Sequence, residues 1–258
     1  MTTPELPLNG DGFSKYFEIL PAISESEKAA AFRIRHSVYC EDLEWEAVRA
    51  NGMETDAYDA QSLHCLIRSR ASGDFIGCVR LILTAPDDPH ALLPFERTCG
   101  PSLHRTQLDP ATMPRERIAE VSRLAIVGQY RRRRGEKQTP AGSVQENEPG
   151  SAEQPRFAWL LIGLYMGVFA IAARHGLEHL FLLSEPRLAR HLNKIGISNT
   201  QIGQPTEHRG FRAPAVMDVR HVIEHLEPLL KSVYTHVDAQ LDQHYRLAAC
   251  RTKPAPMG

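Results

Sequence analysis

The chain has 258 residues, 42% of them hydrophobic and 24% charged, with a formal net charge of −1. This length and mix describe one large or two small globular domains whose core needs no disulfide or metal staple. Near-neutral charge excludes a global field that would recruit nucleic acid or an anionic membrane, so any electrostatic recognition must be local.

Residues 1–15 read as a polar, poorly ordered arm with neither the basic start nor the apolar stretch of a signal peptide. The five cysteines (Cys40, Cys65, Cys78, Cys99 and Cys250) are odd in number and form no C-x-x-C pair. Both features point to a reducing, cytoplasmic location. Ser24 and Glu27 form a capping box at the head of a helix, with Ala31, Phe32, Val38 and Tyr39 as its apolar positions. Residues 41–61 read as an irregular acidic loop. Strands follow at Leu63–Arg68 and Phe75–Leu83, joined by the turn Ser72-Gly73-Asp74. Pro86–Pro114 is a proline-spaced connection with room for one short helix. Ile118–Val127 is the next strand, ending in Tyr130 and the run Arg131, Arg132, Arg133, Arg134.

Gly135–Pro155 is polar and is expected to be a flexible insertion. Phe157–Ala173 is an unbroken apolar run with Gly163 and Gly167 at small-xxx-small spacing. A membrane helix and a helix buried against a sheet both fit it. It lies at the lower edge of spanning length, and the cap Arg174-His175-Gly176 favours the buried helix. A strand (His179–Leu183), a helix (Pro186–Ile195) and one or two strands up to about Val219 come next. Val222, Ile223, Leu226, Leu229 and Leu230 then make residues 220–250 helical. The order is mixed α/β, with helices packed on one sheet.

One constellation carries chemistry. Arg35 and Tyr39 are one helical turn apart and share a face. Trp45 follows, then Gly52-Met53-Glu54-Thr55-Asp56-Ala57-Tyr58-Asp59, then Arg80 in an apolar strand, then Glu120-Val121-Ser122-Arg123. A buried arginine demands a partner, and so does a carboxylate flanked by Ile118, Val121 and Leu124. Glu120 and Arg123 point to opposite faces of a regular strand, so a β-bulge near Val121–Ser122 is expected to bring them together.

The order R-x-x-x-(F/Y), W, G-M-E-x-D-x-(Y/F)-D, G-x-x-R-L, E-(V/L)-S-R resembles the acyl-homoserine-lactone autoinducer synthases and their relatives, the N-acyl amino acid synthases. The insertion and long C-terminus most resemble the acyltransferases associated with PEP-CTERM/exosortase systems. The match is dense over residues 32–127 and looser to about 219, where Glu207-His208-Arg209-Gly210 resembles a family turn. The resemblance implies a GNAT-like acyltransferase fold: an α/β domain with a mostly antiparallel twisted central sheet, split in a V, and helices on both faces. The GNAT-like domain would occupy 1–219, interrupted by the insertion at 135–156, with 220–258 a helical extension packed on it.

By the same resemblance, Arg35, Tyr39 and Trp45 correspond to a mobile lip over the amino-acceptor site. Asp56, Asp59, Arg80 and Arg123 correspond to an ion cluster tying that lip to the sheet, and Glu120 to the carboxylate that helps deprotonate the amine. An ammonium is not a nucleophile, so a base has to take its proton before attack on a thioester. The resulting oxyanion needs a donor, and no metal or permanently bound cofactor is required.

The expected donor is an acyl carrier protein thioester in preference to acyl-CoA, with Arg131–Arg134 as a candidate landing patch. The acyl tail is expected beside Leu124, Ile126 and the helix around Leu160–Val168. The preferred acceptor is an amino acid, and the runner-up is S-adenosylmethionine, giving an acyl-homoserine lactone. Family members favour phenylalanine where Tyr39 stands, which bears on acceptor choice.

Two readings of other classes remain. One is a non-catalytic module that binds an acyl carrier, since fold alone does not fix function. The other comes from His221, Glu224 and His225, which spell the H-x-x-E-H pattern of a zinc peptidase but leave little chain for a third ligand.

Overall fold

Period-two alternation in the two central hairpin strands puts one row of apolar side chains on each face of a sheet, and both faces are covered by helices. The computed structural model describes residues 10–85, 88, 90–131 and 154–251. The strands are β1 (Phe17–Pro21), β2 (Ser62–Ser69), β3 (Phe75–Leu83), β4 (Ile118–Ile126), β5 (His179–Ser184), β6 (Thr200–Gln201), β7 (Thr206–Glu207) and β8 (Phe211–Asp218). The helices are α1 (Gly10–Tyr16), α2 (Glu25–Arg35), α3 (Pro94–Cys99), α4 (Gly128–Arg131), α5 (Gln154–Arg174), α6 (Pro186–Lys194), α7 (Val219–Glu224) and α8 (Pro228–Arg251). Sheet order is β1-β2-β3-β4-β5-β8-β6, with β7 paired to β8. Among the described residues, β4–β5 is the one parallel pair.

That parallel pair is short. Its register runs from Ile118↔His179 to Val121↔Leu182 and stops, although β4 continues to Ile126 and β5 to Ser184. The two halves of the sheet therefore part just beyond Val121, next to Glu120, which is the expected V-shaped split.

The main core lies on the face covered by α1, α5 and α8, where Phe13, Leu164, Val168 and Val237 meet Val79, Leu81, Ala119 and Val121. On the opposite face α2 packs Ala31 and Ile34 on Leu66, Cys78 and Ala125. Further along that face, Phe95 of α3 stacks on Phe181 of β5 at 4.5 Å, among Ile82, Ile118 and Val216. The Ser24–Glu27 capping box is present at the head of α2.

The glycines of α5 have a structural reason. A Cβ on Gly163 would lie 2.5 Å from the Phe13 ring, and one on Gly167 would lie 2.5 Å from Cys65 Sγ and 2.8 Å from Ile19. The small-xxx-small pattern lets the helix lie directly on α1 and the sheet. No helix among the described residues is long and apolar enough to cross a membrane. Gly167→Ala gains about 1 kcal/mol of helix propensity but forces overpacking that costs about 1–3 kcal/mol. Net destabilisation is expected, read as a lowered midpoint in urea; an unchanged or raised midpoint would show that the contact relaxes freely.

Four expectations need correction. Residues 10–16 are not a loose arm: Phe13 fills the core, and Gly10 sits so close to α8 that a Cβ would clash with His236 and Ser232. Residues 1–9 lie outside the described residues. The stretch 41–61 is not wholly irregular, because α2 runs on as a π-helical turn over His36–Asp42 and a 3₁₀ turn spans Asp59–Gln61. Residues 220–250 form two helices, since Pro228 starts α8 afresh after α7 ends.

The fourth is the position of the bulge. Ser122 pairs with Arg80 and Ala125 with Cys78, so Arg123 and Leu124 together oppose Val79. The bulge thus lies just past the expected Val121–Ser122, where Arg123 takes φ +50°. α8, beyond residue 219, packs on α1, α5 and β1. The insertion at 135–156 lies outside the described residues except for 154–156, which begin α5.

Candidate functional site

Three arginines and three acids from four separate segments meet on the α2 face of the sheet. Arg35, at the C-terminal end of α2, is fully buried; its Nε donates to Glu54 at 2.5 Å and its two terminal nitrogens fork onto Asp59 at 2.6 and 3.1 Å. Arg80 of β3 is also buried. Its terminal nitrogens donate to Asp56 at 2.6 and 3.0 Å and to Asp59 at 2.7 Å, and its Nε to Ser122 Oγ at 2.9 Å. Arg123 reaches Glu54 at 3.1 Å, Glu46 at 3.2 Å and Asp56 at 3.3 Å. With Arg209, which pairs with Glu46 at 2.8 Å, four arginines face four acids, so burial of each is offset by direct ion pairs.

These partners decide ionisation. Burial alone would raise the Asp59 carboxyl, but the Arg35 hydrogen bonds and charge outweigh it and hold the group at about 2. Glu54 and Asp56 are likewise disfavoured by burial yet end below the ordinary range, through Arg35 and Arg123 for Glu54 and Arg80 for Asp56. His64, opposite Arg80 in the β2–β3 register, behaves in the reverse way. Burial first, and the Arg35 charge second, push its imidazole down to about 4, and its Nε2 makes no hydrogen bond.

Glu120 is set apart from these acids. It lies on β4 two residues before Ser122, hence on the same face and one pleat away from Arg80. Its side chain is buried, with Oε2 accepting the Phe95 N–H at 2.8 Å. Burial raises its carboxyl to about 8, against the lowering effect of that N–H and of Arg80. The α3 turn that delivers the N–H is itself fixed by Glu96, which accepts from Leu93 N at 2.8 Å and takes a fork from Arg115 at 3.1 and 2.8 Å. Two carboxylate environments thus stand side by side: one locked ionised, the other raised past neutrality by burial.

The π-helical turn carries the aromatic lip. Tyr39 is buried and donates its hydroxyl to Leu124 O at 3.0 Å, which holds the lip to β4. Burial pushes its phenol up to about 12, so it stays a donor. Arg123 stacks over the Tyr39 ring at 5.4 Å, and Tyr39 lies 6.1 Å from Trp45. Trp45 is covered in turn by Arg209 at 6.0 Å and Arg212 at 5.3 Å.

Eight residues expected at the site from sequence, Arg35, Tyr39, Trp45, Asp56, Asp59, Arg80, Glu120 and Arg123, are therefore brought together. The others are not. Ile126 is fully buried in the main core and Leu124 packs against it, while the Leu124 carbonyl accepts the Tyr39 hydroxyl. Arg131 ends α4, and its side chain, like all of Arg132, Arg133 and Arg134, lies outside the described residues. Glu224 pairs with Arg220 at 2.7 Å and His221 stacks on His225 at 4.2 Å. No group of three or more His, Cys, Asp or Glu among the described residues is placed to hold a metal ion.

Comparison with known proteins bears on the fold that carries this site. A GNAT acetyltransferase domain model matches residues 34–140. An acyl-homoserine-lactone synthase of Vibrio anguillarum is 30% identical over 71 residues, a stretch covering 28% of this chain and 37% of that protein. The match thus spans little more than a third of the curated relative. BjaI, a CoA-dependent acyl-homoserine lactone synthase solved with SAM and isopentyl-CoA, superposes over 89% of this chain and 89% of its own, with TM-score 0.54 at 19% identity. TofI, solved with an inhibitor and MTA, superposes over 83% of this chain and 99% of its own at TM-score 0.56 and 20% identity.

Residues 34–140 thus match a GNAT domain, and the fold of the chain is like that of solved acyl-homoserine-lactone synthases.

FeeM, an N-acyl amino acid synthase from uncultured soil microbes, also shares the GNAT-like fold, at TM-score 0.50 and 14% identity over 83% of this chain and 97% of its own. Within this fold the split beside β4 is the place where the described residues put an ionisable carboxyl next to an organised charge cluster. Sequence reasoning left several site residues unassigned: Glu54, Glu46, Ser122, His64, Arg209, Arg212 and the Phe95 N–H. Glu54 had a signal, standing inside the G-M-E-x-D motif. Ser122 and Arg209 likewise stood inside quoted motifs, whereas Glu46, His64, Arg212 and the Phe95 N–H are joined to the site only by tertiary pairing.

Proposed function

We propose that this protein is an N-acyltransferase that moves an acyl group from a carrier thioester to the amino group of a small acceptor. The observation that carries the reading is Glu120: a buried carboxyl raised to about 8, one pleat from the ion cluster and beside the parting of β4 and β5. A general base works best when its pKa lies near the operating pH, and a carboxyl raised to about 8 is a much stronger proton acceptor than an ordinary carboxylate. Glu120 takes the ammonium proton, directly or through water; the amine attacks the thioester carbon; the thiolate leaves as the tetrahedral adduct collapses to the amide. The Arg35, Arg80 and Arg123 cluster fixes the lip over the acceptor and pays for its own burial by pairing.

The acceptor is an amino acid in the first reading, giving an N-acyl amino acid. S-adenosylmethionine, giving an acyl-homoserine lactone, is the second. The donor is an acyl carrier protein thioester first and acyl-CoA second, as in the CoA-dependent relative BjaI. All five cysteines are free and four are buried, which fits the reducing cytoplasm in which we place the reaction.

Mass spectrometry of organic extracts from cells making the protein tests this reading. A new acylated amine, absent from cells making Glu120→Gln, is expected, and its head group identifies the acceptor. Extracts matching the empty-vector control would overturn the proposal.

A further inference from the structure

Every arginine of the site except one has an acid. Arg123 and Arg209 both reach Glu46, at 3.2 and 2.8 Å, and Arg123 also pairs with Glu54. Arg212 has no ion pair among the described residues, and its Nε is buried without a hydrogen-bond partner. Its guanidinium lies over Trp45 at 5.3 Å. A half-buried guanidinium with an orphaned donor is a costly arrangement to maintain in a free protein. Such an arrangement becomes favourable when a planar anion forks onto it.

Strand alternation sets where that anion would sit. On β8, Ala215 and Met217 point into the α5–α8 core, whereas Val216 joins Phe95, Ile118 and Phe181 on the other side. Val216 pairs with Phe181, which pairs with Glu120, so this is the Glu120 face of the sheet. Arg212, four residues before Val216, alternates onto the same face, beyond the point where β4 and β5 part. Tyr39, Glu185, Arg209 and Arg123 are the charged or titratable groups that act most on it, and none of them hydrogen-bonds it. The left-handed turn at Arg209 (φ +54°) and Gly210 (φ +92°) folds the β7–β8 hairpin over Trp45 and brings Arg209 and Arg212 to the same ring.

We infer that Arg212 is the carboxylate-binding residue of the acceptor site, holding the acid group of an amino-acid-like acceptor against Trp45. This inference rests on the acyl-acceptor reading of the lip and deepens it by naming the residue that recognises the carboxylate common to both proposed acceptors. Arg123 and Arg209, held in place by Glu46, add positive potential without competing for the fork. The residue acts on binding and orientation and takes no part in proton transfer.

Calorimetric titration of the full chain with the twenty amino acids and S-adenosylmethionine, each beside its methyl ester, tests it without requiring turnover. At least one acid is expected to bind the wild-type protein roughly 10- to 100-fold more tightly than its ester, the range of a charge-assisted fork. Arg212→Gln, with an unchanged melting temperature, is expected to erase that preference and leave ester binding and coenzyme A binding as they were. Arg212→Lys is expected to restore part of the acid preference, since it keeps the charge and loses the fork.

A wild-type protein for which no acid outbinds its ester overturns the inference. So does an Arg212→Gln variant that keeps the preference, or one that weakens coenzyme A instead, which would assign the residue to donor phosphate. Acid preference lost in Arg212→Gln, with no acyl transfer by the wild type to any acceptor, would leave the subsite standing and remove the acyltransferase reading.

Discussion

Arg35→Ala is expected to lower stability by about 3–5 kcal/mol, the range for stripping one partner from a buried ion pair. The guanidinium it removes is fully buried and supplies three hydrogen bonds, one to Glu54 and two to Asp59. Truncation leaves those acids with one cation fewer and opens a cavity under α2. A loss of that size is a large fraction of the ~5–15 kcal/mol that holds a typical domain together. The double variant Arg35→Ala/Asp59→Asn restores charge balance and is expected to be less damaged than the sum of the singles by about 1–3 kcal/mol. Denaturant titration of the four proteins measures the coupling. Strictly additive losses would mean that the pair is held by packing alone. Acid acts on the same cluster. Because Asp59 is depressed to about 2, its contribution is present above the unfolded carboxyl value and is lost as the pH falls from about 4 towards 2.

Glu120→Gln is expected to reduce acyl transfer by roughly 10²- to 10⁴-fold, the usual contribution of a positioned base. Glutamine keeps the shape and can still accept the Phe95 N–H, so the fold is expected to persist. Stability should respond with its own pH signature. Glu120 has its folded pKa raised to about 8 by burial, so the folded state keeps a proton that the unfolded chain releases above about 4.5. The wild type therefore loses stability as pH rises from about 4.5 to about 8, and the loss levels off beyond. Glutamine cannot ionise, so the variant gains on the wild type across that window by on the order of a few kcal/mol. Thermal melts at pH 5, 7 and 9 read the difference. A constant gap between the two proteins would place Glu120 in contact with solvent.

Much of this site was legible because its residues lie in short motifs whose spacing matches local structure. Arg35 and Tyr39 share a face through helical periodicity, and Arg80 in FIGCVRLIL signalled a buried charge by its apolar neighbours. The bulge was foreseeable from the wrong-facing spacing of Glu120 and Arg123. Its position was not, because it depends on Arg123 taking a left-handed conformation that arginine does not favour. The short N-terminal helix was misread since Gly10 and Gly12 look like loop residues until α8 is known to lie against them. The Phe95 N–H and Arg212 carry no local signal. Each reaches the site through a register, β4 on β5 and β5 on β8, that only the folded sheet defines.

In the proposed mechanism one buried carboxyl beside a balanced ion cluster deprotonates an amine for attack on a thioester. Thiol release by the purified protein from acyl carrier protein and acyl-CoA thioesters, with amino acids and S-adenosylmethionine as acceptors, measures it most directly when wild type and Glu120→Gln are compared from pH 6 to 9. Acceptor-dependent release is expected in the wild type, climbing as the pH passes through about 8. The variant is expected to be at least roughly 100-fold slower, with the same melting temperature at pH 5. Equal rates and equal pH profiles for the two proteins would contradict it.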